Sequence, residues 1–143
     1  MGRLKTISLC ATLILPTLPQ ALAARGLPET RQDQLYFFAT CSGRLSALME
    51  HQWLLDGPAS EDTARTRAEM LSLLQAVTPP DQAATVMQWR ISAKVAQASL
   101  LSQASFDLDP ARAAWAKRRA EGLTAACIAA LLAPLKEQCS CIR

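Results

Sequence analysis

A single histidine, His51, in 143 residues rules out a zinc site built from several histidines of one chain. The C-x-x-C-H signature of covalent haem attachment is missing, and so are G-x-S-x-G, the P-loop and G-x-G-x-x-G. β-Branched residues are sparse, and no stretch alternates apolar with polar residues for long, which argues against a sheet. Internal repeats and low-complexity linkers are also missing. Long apolar runs are few. The most prominent, ISLCATLILPTL at residues 7–18, falls short of the roughly 20 residues a membrane-spanning helix needs.

That run has the form of a secretory signal. Arg3 and Lys5 precede it, and Ala21-Leu22-Ala23 follows as a small-x-small cleavage site. The expectation is a signal peptide over residues 1–23, cut after Ala23. An uncleaved anchor is the alternative to cleavage; a lipoprotein acylated at Cys10 fits the pattern less well, because Cys10 follows Leu9 and most of the apolar run lies after it. Removing 23 of 143 residues leaves 120, one domain's worth, over residues 24–143. The 15 Lys+Arg then fall by two to 13 against 12 Asp+Glu, a formal charge of +1. This balance gives no electrostatic case for nucleic acid. Arg112, Lys117, Arg118 and Arg119 cluster in sequence, and a solvated helix face accounts for them. After cleavage no stable membrane span is expected.

What the chain has in plenty is alanine and leucine at helical spacing, and the expected fold is all-α, a small four-helix up-down bundle. The first helix is expected over residues 30–55, with Phe38, Cys41, Leu45, Leu48, Gln52 and Leu55 on one face. Gly57 would cap its C-terminus, with Pro58 beyond. Ser60 would cap the second helix, with Glu61 and Asp62 in its first turn. The buried stripe of that helix would be Ala64, Ala68, Leu71, Leu74 and Val77. The TPPD stretch at residues 78–81 breaks the chain. A third helix follows, with Ala84, Met87, Ile91, Val95, Ala98 and Leu101 inward. Asp109 and Pro110 form a strong start signal for the fourth. Its stripe would be Trp115, Leu123, Cys127, Ile128, Leu131 and Leu135, and Pro134 would kink or stop it.

Four cysteines remain in the expected mature chain: Cys41, Cys127, Cys139 and Cys141. In an exported protein an even count suggests disulfides, and four cysteines allow three full pairings. Cys41 lies 11 residues after Thr30 and Cys127 lies 10 residues before Glu137. On antiparallel helices rising about 1.5 Å per residue, the two stand at nearly the same height. Cys41–Cys127 is therefore the preferred structural disulfide. Cys139 and Cys141 stay open. Joined to each other they would form a strained, reducible redox pair; they could also pair with the other two or with another molecule.

Ala39, Gly43 and Ala47 stand four apart in the first helix, a strip that lets another helix come close. Gly43 costs roughly 1 kcal/mol against alanine in a helix interior, and close packing is the simplest return. His51 reads as a helix-end residue. Met49, His51, Met70, Met87 and the C-x-C tail form the residue set for an alternative reading as a copper site, although methionine at these spacings usually fills core gaps. Trp53, Trp89 and Trp115 read as packing groups, with a ligand groove as the other reading. Cys41 and His51, ten residues apart on one helix, are about 15 Å apart along its axis, too far for a Cys–His hydrolase.

The stretch Ala39 to Ser60, ATCSGRLSALMEHQWLLDGPAS from its first to its last residue, resembles uncharacterised small secreted proteins of alphaproteobacteria. The resemblance implies export from a Gram-negative cell and carries no catalytic residue. The functional expectation is thus a non-enzymatic periplasmic or secreted protein, without cofactor, that binds or supports a protein partner through a helix face or its C-terminal tail. A thiol–disulfide protein using Cys139 and Cys141 is the first alternative, and a copper-binding protein the second.

Overall fold

The computed structural model describes residues 30–140, and side chains as far as residue 132. The expected signal segment lies outside the described residues. Four helices make up the body: α1 (Arg31–Leu55), α2 (Gly57–Val77), α3 (Ala83–Phe106) and α4 (Pro110–Ser140), with one 3-10 turn at Pro80–Gln82 before α3. No strand occurs among the described residues. The fold is an all-α, four-helix up-down bundle held by a Cys41–Cys127 disulfide.

α1, α2 and α4 start where a side chain satisfies their first free N–H groups, whereas α3 follows a 3-10 turn without a side-chain cap. Thr30 Oγ1 accepts from the Asp33 N–H at 3.1 Å and caps α1. At the far end, the expected Gly57 cap is replaced by a tighter joint. Asp56 serves both helices: its N–H donates to Gln52 O, and its carboxylate accepts from the Ala59 N–H at 3.2 Å. α2 therefore begins at Gly57, with Pro58 in its first turn, where the lost N–H costs nothing. Ser60, the expected cap, sits one turn inside α2, buried, donating to Gly57 O at 2.6 Å. α4 starts as read from sequence. Asp109 Oδ1 accepts from the Ala111 and Arg112 N–H groups at 2.8 and 3.4 Å, and Pro110 follows it. Pro134 does not stop this helix, whose backbone continues to Ser140.

The Asp107 carboxylate binds the α3–α4 turn by accepting from the Asp109 N–H at 2.9 Å and from Arg112 Nη2 at 3.1 Å. The Asp109 N–H, aided by Arg112, holds the Asp107 carboxyl below its ordinary value. A depressed folded-state pKa contributes stability that is fully present above the unfolded carboxylate value. That stability is lost as pH falls through the lower folded one. Acid titration monitored by circular dichroism should show Asp107→Asn lowering stability at neutral pH. The gap from wild type should close below about pH 4. A gap that stays constant down to low pH would contradict this role.

α1 occupies the centre. Residues 38–43 are buried without interruption, as are 45–47, so this helix is covered on nearly its whole circumference. Its buried hydroxyls turn to its own backbone: Thr40 to Phe37 O, Ser42 to Ala39 O and Ser46 to Ser42 O, at 2.8–3.0 Å. They enter the core without an unmet hydrogen bond. α2 and α3 pack along α1, while α4 lies mainly on α3 and meets α1 along a short stretch. The core joins Leu35, Phe38, Cys41 and Leu45 of α1 with Met70 and Leu74 of α2, Val86 of α3 and Cys127 of α4.

Three of the expected inner faces are corrected. In α2 the buried residues are Ser60, Thr63, Met70 and Leu74, while Ala68 faces outward and Ala64, Leu71 and Val77 are half-buried. In α3 they are Val86, Gln97 and Leu101; Ala84, Met87, Ile91, Val95 and Ala98 are exposed. In α4 the inward residues are Ala116, Ala120, Thr124 and Cys127, with Trp115 and Ile128 exposed and Leu123 and Leu131 half-buried. The α1 face is right at Phe38, Cys41 and Leu45 and runs out into solvent at Leu55. In α4 small residues take the contact positions and Trp115 and Ile128 are displaced outward, and at Gly43 the α1 backbone rests on that of α3. Gln97, a polar residue, is buried between α3 and α4: it donates to Ala120 O at 3.2 Å and lies 3.3 Å from Thr124 Oγ1, while its own Oε1 has no partner. The Leu135 side chain lies outside the described residues.

Candidate functional site

Within the strip Ala39, Gly43 and Ala47, the backbones of two helices come close at Gly43. A Cβ placed on Gly43 would stand 2.2 Å from Arg90 O and 3.1 Å from Lys94 N, so the α1 backbone rests directly on that of α3. Ala39 is wholly buried in the main core, and Ala47 packs with Leu101 and Ala120 in a second cluster. Cys41 and Cys127, both fully buried, are joined with their Cα atoms 5.5 Å apart.

Two concave regions flank this junction. A cleft of about 550 Å³ opens between α1, α3 and α4, lined by Leu48, Leu101, Ala120 and Ile128 together with His51 and Glu121. There His51 Nε2 stands 3.0 Å from Ser105 Oγ. The expected helix-end histidine thus ties α1 to the end of α3. Among the described residues no carboxylate bonds to His51, and the pair links helices rather than forming an oriented Ser–His–acid set.

The other region is a groove between α2 and α3, floored by α1. Near Gly43 it is cationic, with Arg67, Arg90 and Lys94 around about 140 Å³. Lys94 pairs with Glu50 at 2.6 Å. Arg67 Nε donates to Ser46 Oγ at 2.7 Å. Arg90 Nε is buried and without a partner. Burial, with the nearby Arg67 charge adding to it, holds the Arg90 guanidinium below its ordinary value. Toward the Pro79–Pro80 turn the groove becomes apolar, about 360 Å³ lined by Leu71, Leu74, Val86 and Met87. Met87 and Arg90 belong to both parts, so the two are continuous. No sequence motif marks this groove, because its residues come from three helices.

The residues of the copper alternative are dispersed. Met70 lies in the core, Met87 in the α2–α3 groove, His51 in the opposite cleft, and Met49 is buried. Among the described residues no three His, Cys, Asp or Glu side chains are grouped to hold a metal. Cys139 lies on the last turn of α4 with its side chain outside the description, and Cys141 lies outside the described residues altogether. The redox pair therefore falls where no contact is described. Of the tryptophans only Trp89 packs inward, edge-on to Tyr36 at 5.2 Å; Trp53 and Trp115 are exposed. The basic cluster is solvated, with Arg112 turned to Asp107 and Asp109.

Compared with family models, curated proteins and solved structures, the chain matches none.

Proposed function

We propose that this is an exported, non-enzymatic helical protein of the periplasm or the extracellular space that binds or supports a protein partner through the outward face of α3. One observation carries the reading: Met87, Ile91 and Val95 are 50%, 55% and 64% exposed along that face. They form one stripe at helical spacing, flanked by Ala84 and Ala98. A contiguous apolar stripe on the surface marks an interaction site. The only charged residues of α3, Arg90 and Lys94, are half-buried and line the groove that Met87 and Ile91 also edge. The stripe itself carries no charge and suits an apolar helix or sheet face of the partner.

Export is supported by the buried disulfide, which persists in oxidising compartments. Among the described residues no helix is long and apolar enough to cross a membrane.

The test is recovery from the periplasm after mild crosslinking, wild type beside Val95→Glu. Val95 is exposed, so the substitution should change folding stability by no more than about 0.5 kcal/mol. A central interface position loses about 2 kcal/mol or more when disrupted, a drop in affinity of roughly 30-fold. The wild type should enrich one partner reproducibly and Val95→Glu should lose it. A protein that stays monomeric with no enriched partner, or equal recovery by both forms, would count against this face.

A further inference from the structure

The groove between α2 and α3 pairs two uncompensated cations with an apolar trough. Among the described residues neither Arg67 nor Arg90 has a carboxylate partner. Arg67 is aimed by its bond to Ser46. Arg90 keeps a buried donor without an acceptor, an arrangement that an anion would complete. We propose that this groove binds a long-chain carboxylate, with its head between Arg67 and Arg90 and its chain along Leu71, Leu74, Val86 and Met87.

Three features select this chemistry. The guanidinium fork matches a planar carboxylate in a bidentate fashion. Glu50 lines the same cationic pocket and pairs with Lys94, so the charge left for a bound anion is that of Arg67 and Arg90. The trough, about 360 Å³, lies within the range of small-molecule pockets, roughly 300–1,000 Å³, and continues without a break from the charged end through Met87 and Arg90. The lowered pKa of Arg90 agrees with a cation held away from water with no counter-charge.

Calorimetric titration of the oxidised protein with decanoate, decanol, butyrate and inorganic phosphate tests the assignment. Decanoate should bind, and decanol, which lacks the charge, should bind at least about tenfold more weakly. Butyrate and phosphate should give no measurable heat. Arg67→Gln and Arg90→Gln should each weaken decanoate by about tenfold or more, while Val95→Glu, outside the groove, should leave it unchanged. Without ligand, Arg90→Gln should melt at or above the wild-type temperature, since it removes a desolvated, unpaired charge. Decanol binding as tightly as decanoate, or full affinity in Arg90→Gln, would overturn the charged half. Phosphate or butyrate binding as tightly as decanoate would overturn the apolar half. Failure of decanoate to bind would overturn both. The comparison of decanoate with decanol uses the wild-type chain and so does not depend on any variant folding. Loss of the α3 partner face with decanoate binding intact would leave this site standing.

Discussion

Replacing Cys41 and Cys127 together by alanine is expected to cost about 4–5 kcal/mol of unfolding free energy, the largest single effect in the molecule. The two residues are 86 apart in sequence, and a crosslink closing a loop of that size removes a correspondingly large entropy from the unfolded chain. Stabilities of domains this size are typically about 5–15 kcal/mol, so about a third of the margin or more would go. The melting temperature should fall on the order of 10–20 °C, as followed by circular dichroism or calorimetry. Reduction of the wild type with dithiothreitol should have a similar effect. The loss should also be uneven. α4 leans mainly on α3 and touches α1 along a short stretch around the disulfide. Hydrogen exchange should therefore show α4 opening first, ahead of α1 and α2. A double alanine variant that melts within a few degrees of the wild type would mean that packing alone holds α4 in place.

Gly43→Ala should also destabilise the protein, despite being the smallest possible addition. In an ordinary helix interior the change would stabilise by roughly 1 kcal/mol. Here the new Cβ would meet the Arg90 carbonyl oxygen at 2.2 Å, and backbone cannot rotate away as a side chain can. α1 and α3 must part, loosening the core formed by Phe38, Leu45 and Val86. Overpacking of this kind costs about 1–3 kcal/mol, so a net loss of up to about 2 kcal/mol is expected once the propensity gain is subtracted. Gly122→Ala supplies the control. A Cβ there meets nothing within 4 Å, and the propensity gain should appear undiminished as a stabilisation of up to about 1 kcal/mol. Urea denaturation of both variants checks the pair. Equal shifts in the same direction would contradict the direct backbone contact.

These two sites were also the most legible in the sequence. Helix rise and antiparallel direction alone bring Cys41 and Cys127 to one level. The Ala39–Gly43–Ala47 strip needs only the four-residue spacing. The Asp109–Pro110 start was legible for a similar reason, because its signal is local. The inward faces of α2, α3 and α4 were not. Hydrophobic periodicity assumes that the largest apolar residues turn inward. In α4 the contact positions belong to the small Ala116, Ala120 and Thr124, and in α3 the polar Gln97 is buried with Val86 and Leu101. Trp115, Ile91 and Val95 stand outside. The joint at Asp56 escaped a reading that gave Gly57 and Ser60 separate jobs, because one carboxylate can serve the end of one helix and the start of the next. The cationic groove depends on Arg67 and Arg90 of different helices meeting over α1, which no local pattern encodes.

Functionally, the apolar residues left outside link fold to surface. Met87, Ile91 and Val95 form the exposed stripe of α3, and Met87 is also part of the groove wall.

The most direct test of a bundle clasped around α1 is proteolytic mapping of the oxidised protein after alkylation without reductant. The peptides carrying Cys41 and Cys127 should be recovered as one covalent species that separates on reduction. Free, alkylated Cys41, or Cys41 bonded to Cys139 or Cys141, would contradict the architecture.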